Sequence, residues 1–74
     1  MARATAAERL QQKATYQIGS IVQVYTIFDG WRECQITKLG WDRMFGRVQY
    51  HVLPVGKPVN HGWITDEECM RNAQ

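Results

Sequence analysis

The stretch IVQVYTIFDGWRECQITKL, residues 21–39, decides the fold. Ile21 to Phe28 is a run of β-branched and aromatic side chains, the types that suit a pleated, half-buried surface. Asp29-Gly30 follows, a dipeptide that accepts the positive φ of a tight hairpin turn. Trp31 to Leu39 then reads as the returning strand. Register constrains this hairpin. A plain two-residue turn at Asp29-Gly30 sets Phe28 opposite Trp31 and Tyr25 opposite Cys34. Because side chains alternate along each strand, Val22 and Val24 then point away from Cys34 and Ile36. A longer loop or one bulged residue returns all four to a single face. The bulge is the expected device, since bulges bend strands in small barrels.

Working outward toward the C-terminus, Gly40 to Gly46 reads as a loop carrying Trp41, Met44 and Phe45. Arg47 to Val55 alternates as a third strand, with Pro54 marking its end because proline has no amide to donate to a ladder. Gly56, Pro58, Asn60 and Gly62 make a second loop, and Trp63-Ile64 a short fourth strand. Thr65 and Glu68 stand at capping-box spacing, which predicts one helical turn over Asp66 to Met70. The last few residues either add a brief fifth strand or fray.

Toward the N-terminus, Thr5 and Glu8 have the same spacing and predict a short helix from Ala6 to Lys13. Leu10 is its only large apolar residue, so it lacks a hydrophobic face, and so short a helix is marginal without packing. Residues 1–15 are therefore expected to be a basic arm or short helix, with Arg3, Arg9 and Lys13 against Glu8, and residues 16–74 the folded barrel.

Composition fits one small globular domain. At 74 residues, folding buries only about 60% of the unfolded surface, so the core must rest on a few large side chains. The formal net charge of +2 is too small for the electrostatic footprint of a nucleic-acid binder. Cys34 and Cys69 are isolated, and the chain opens at Met1 without an apolar leader; free thiols in a reducing cytoplasm are expected. No apolar run approaches the roughly 20 residues of a membrane-crossing helix, and no membrane partner is expected.

Gly19-Ser20-Ile21-Val22, Asp29-Gly30-Trp31, Cys34-Gln35-Ile36 and Val48-Gln49-Tyr50 together resemble the Tudor domains and related SH3-like barrels over about residues 16–71. The resemblance implies a mainly β, five-stranded SH3-like barrel. In Tudor domains aromatics near the first hairpin and on the third strand cage methylated Lys or Arg by cation–π attraction. The matching positions here are Tyr25, Phe28, Trp31 and Tyr50, with Asp29 as a nearby carboxylate; core or cross-strand packing explains the same residues without a ligand.

Plasmid-encoded type II dihydrofolate reductases are similar in length and in landmarks such as Ile18 to Val22, Trp31 to Ile36 and Ile64 to Arg71. Their active segment is Val-Gln-Ile-Tyr, where this chain has Gly62-Trp63-Ile64-Thr65, and their strand-one Lys falls on Val24 or Tyr25. That similarity implies the fold and argues against the activity, leaving a small oligomeric reductase as a remote alternative.

No catalytic residues, metal site or cofactor are expected. His51, His61, Cys34 and Cys69 lack the paired spacing that puts two zinc ligands on one turn. Asp66, Glu67 and Glu68 suit the opening of a helical turn better than acid–base work. What stands out is Trp41 and Phe45 beside Arg43 and Arg47, with Trp63 next to the second loop, a composition typical of interaction hot spots. These aromatics either present a patch to a protein partner or another copy of the chain, or they close the barrel end. Stand-alone modules of this resemblance act as adaptors or as inhibitors carried by phages and plasmids. Nucleic-acid binding through Lys38, Arg43, Arg47, Lys57 and the arm is the alternative.

Overall fold

Antiparallel pairing between Ile21 and Asn72 builds one five-stranded sheet, seen in a computed structural model that describes residues 5–73. In chain order the elements are helix α1 (Ala6–Lys13) and strands β1 (Ile21–Thr26), β2 (Gly30–Asp42) and β3 (Arg47–Pro54). A 3-10 turn (Val59–His61), β4 (Trp63–Thr65), a second 3-10 turn (Glu67–Cys69) and β5 (Met70–Asn72) complete the chain. The strand order is β4-β3-β2-β1-β5, so the final strand returns to lie beside the first. The chain is mainly β and five-stranded, as expected, and its strands form one antiparallel sheet that does not close on itself. The two edge strands are short: β4 and β5 hold three residues each and pair only with β3 and β1.

The register conflict is resolved by loop length. Thr26 pairs with Gly30 across a three-residue loop, residues 27–29, and Gly30 takes the left-handed conformation at φ 67°. Val22 then faces Cys34 directly, and the β1–β2 ladder runs unbroken to Ile21 opposite Gln35. The bulge lies instead in the β2–β3 ladder, between Ile36 and Lys38, where Thr37 is the extra residue. Without it Ile36 and Leu39, an odd number of positions apart, would face opposite ways; with it both turn inward.

One face of the sheet therefore carries the buried hydrophobic core, Val22, Val24, Cys34, Ile36, Leu39, Val48, Tyr50, Val52 and Met70, with buried Pro54 at the end of β3. Each fully buried aliphatic side chain of this kind stabilises by about 1.5–3 kcal/mol. Leu10, Ala14, Tyr16 and Trp63 pack around this cluster as a partial lid. Burial drives the Cys34 thiol pKa up, with nearby Arg32 opposing, and both cysteines are free. No helix among the described residues is long and apolar enough to cross a membrane.

Of the two forms expected for residues 1–15, the short helix over Ala6–Lys13 is the one seen, and α1 packs against the core rather than fraying. Thr5 caps α1, its hydroxyl accepting from the Glu8 amide at 3.1 Å, and Leu10 reaches the core. Gln11 then ties the helix to the chain that follows: its amide nitrogen donates to the Tyr16 carbonyl and its oxygen accepts from the Ile18 amide. One apolar side chain suffices because polar bonds to the backbone supply the rest. Arg3, counted in the basic arm, lies outside the described residues.

Candidate interaction site at the β2–β3 hairpin end

Gly40 to Asp42, expected in a loop, extend β2 instead, and Trp41 pairs with Val48. Only residues 43–46 turn. Asp42 shapes that turn, its carboxylate accepting from the Met44 and Phe45 amides at 3.0 and 3.2 Å while its carbonyl accepts from Gly46. Gly46 closes the turn at φ 63°, a conformation that costs any side-chain-bearing residue. The tip is thus fixed by local bonds while its side chains point into solvent: Met44 is 85% exposed and Phe45 67%.

Behind the tip, chain segments from both ends of the sequence meet. Trp41, pairing with inward Val48, prolongs the core face beyond Leu39 and stays 43% exposed. The Lys13 ammonium from the last turn of α1 lies over its ring, 4.9 Å from the centroid. Arg47 stacks on Phe45 at 5.0 Å and forks to Asp66 at 3.0 Å and Glu68 at 3.5 Å. The acidic residues are held there by the second 3-10 turn. Asp66, rather than Thr65, caps it by accepting from the Glu68 amide. A cleft of about 460 Å³ runs between Lys13, Trp41, Arg47, Glu67 and Glu68.

Tyr50 fastens this end together. Its side chain is fully buried, and its hydroxyl donates to Glu67 at 2.7 Å while accepting from the Thr15 amide at 2.9 Å and the Tyr16 amide at 3.4 Å. Burial, then the bond to Glu67, pushes the phenol pKa up to about 12. The same hydrogen bond, with those from Thr15, pulls the Glu67 carboxyl below the usual range. Tyr50 thereby joins the start of the chain, the third strand and the terminal turn.

Other candidate residues lie elsewhere. Tyr50 is core, so it is not available to an aromatic cage. Tyr25 and Trp31 meet edge to face at 5.6 Å on the opposite face of the sheet, where Arg71 already stacks on Trp31 at 4.0 Å and bonds Gln23. Phe28 projects at the first hairpin tip, 95% exposed, beside Ile27 at 87%. Trp63 pairs with Val52, four positions along β3 from Val48, about 13 Å of strand. It lines a separate open groove with His51, Leu53, Val59 and Ile64. Arg43 sits in the second turn without a carboxylate partner among the described residues. Among the described residues no group of three or more His, Cys, Asp or Glu side chains is placed to hold a metal ion.

The residues missed by pattern are Lys13 and the Glu67–Glu68 pair. They stand 28, 26 and 27 positions from Trp41 (41 − 13, 67 − 41 and 68 − 41), and no local spacing links them. Comparison of the chain with protein-family models, curated proteins and solved structures gives no match.

Proposed function

We propose that this chain is a non-catalytic, SH3-like binding module, an adaptor or inhibitor that engages a protein partner through the β2–β3 hairpin end. The linear strand order, with a 3-10 turn before a last strand that pairs with the first, supports the SH3-like part. One observation carries the binding part. Met44 and Phe45 are held in water by a turn whose amides are satisfied by Asp42, a few positions along the chain from half-exposed Trp41. With the backbone already fixed, docking orders only the side chains, so they suit a protein pocket. Nucleic acid fits this end less well, because Arg47 is paired with Asp66 and Glu68, and Lys38 and Lys57 lie on other parts of the molecule, which leaves Arg43 and Lys13 as the cations here without an ion pair among the described residues.

Affinity capture from the source cell tests this, with the native chain compared against Met44→Ser/Phe45→Ser at low and high salt. The native chain should retain a protein that the double variant loses at an unchanged melting temperature. Capture of nucleic acid that falls steeply with salt would establish the alternative instead. Equal capture by both chains would remove the hairpin end from the interface.

A further inference from the structure

Lys13 lies on Trp41 without an ion pair of its own: the three ion pairs of the described residues belong to Arg32 and Arg47. The helix is held by Leu10, by Gln11 and by the Thr15 and Tyr16 amides, none of which fixes the lysine stem. Swinging the stem aside therefore opens the cleft without moving α1. It also regains the rotamer freedom that pinning costs a lysine.

Without Lys13 the cleft wall and the residues bonded to it carry Asp66, Glu67 and Glu68 against Arg47, three negative charges to one positive. The floor is then an open tryptophan face. An aromatic face bordered by excess carboxylate attracts a cation, and the chain's own ammonium already takes up that position.

We infer that the Trp41 cleft is a recognition site for a basic side chain of a partner, and that Lys13 occupies it in cis until a partner's lysine or arginine replaces it. This rests on the hairpin end being the binding surface, and it adds what the partner presents there: a cationic side chain beside an apolar pocket for Phe45. Lys13 acts as a competitor that lowers the apparent affinity by the fraction of time the cleft is closed.

The test is an NMR titration of the full chain with Nα-acetyl-arginine amide, following the Trp41 indole N–H, with Nα-acetyl-norleucine amide as the uncharged control. Lys13→Met keeps the stem and removes the charge; Lys13→Arg keeps a cation in place. The Met variant should bind the arginine probe about three- to sixfold more tightly than the native chain, the effect of lifting a cover worth one exposed cation–π contact. Lys13→Arg should bind no more tightly than the native chain, and Glu68→Gln should weaken binding in the Met background. Equal affinity in native and Met chains, equal response to the norleucine control, or no shift at Trp41 would overturn the inference. Such a result leaves the loss of a captured protein in the Met44→Ser/Phe45→Ser variant standing, so the two failures are distinguishable.

Discussion

The two ends of β2 carry hairpin tips built from the same local parts and placed in different surroundings. At one, Thr26 accepts from the Asp29 amide and donates to the Gly30 carbonyl, Gly30 is left-handed, and Phe28 projects into solvent. At the other, Asp42 accepts from two turn amides, Gly46 is left-handed, and Phe45 projects. Behind Phe28 the Tyr25–Trp31 pair is joined from distant sequence by Arg71 alone, whereas Trp41, Lys13, Arg47 and the Asp66–Glu68 turn gather behind Phe45 around a cleft. Turn chemistry makes an exposed aromatic at each tip; long-range packing lays one cation on the tryptophan behind the first and adds carboxylates and a cleft behind the second.

The strongest way to break this comparison is through the core that both tips share. Val24→Ala and Val48→Ala should each cost roughly 1–3 kcal/mol in chemical denaturation, since both side chains are buried and leave a cavity. A neutral result at both would mean that the inward face is misassigned. Tyr50→Phe should act on one end alone. It removes the acceptor of the Thr15 and Tyr16 amides and the donor to Glu67, costing about 1–2 kcal/mol, with hydrogen exchange rising at α1 and not at the Phe28 tip.

The turns themselves should respond alike. A Cβ at Gly30 or Gly46 meets no atom within 4 Å, so Gly30→Ala and Gly46→Ala should each cost about 1 kcal/mol through backbone strain alone. Unequal costs would show that one tip is held by more than its turn.

Stability against pH should carry a smaller signature of the Tyr50–Glu67 bond. The Glu67 carboxyl is lowered in the folded state, so its contribution is present above the ordinary carboxylate range and is lost as pH falls through the lowered folded value. Tyr50 is raised from 10.0 to about 12, so its contribution is complete below pH 10 and is lost as pH climbs toward about 12. Tyr50→Phe should flatten the alkaline limb.

How much of this was legible follows from the range of the causes. The parity of Val22, Val24, Cys34 and Ile36 exposed the hairpin problem from sequence, because alternation is a local rule. Its solution was the three-residue loop and not the expected bulge, and the loop residues suit either device; the bulge at Thr37 belongs to the β2–β3 ladder. The helix over Ala6–Lys13 was readable from its capping residue, but its docking was not. Leu10 and Gln11 look like an ordinary solvated pair until the Tyr16–Ile18 backbone is placed beside them. Trp41 was legible as unusual, and glycines on both sides suggested a loop; only pairing with Val48 makes it strand.

The central claim is that the Trp41 end is assembled from both ends of the chain. Emission from Trp41 tests it most directly, in a chain where Trp31 and Trp63 are phenylalanine and residues 1–13 are present or deleted. Deletion should shift the emission to longer wavelength and increase iodide quenching, as the ring loses Lys13 and Leu10 leaves the core beside it. Identical spectra and quenching with and without residues 1–13 would contradict it and return the segment to a free arm.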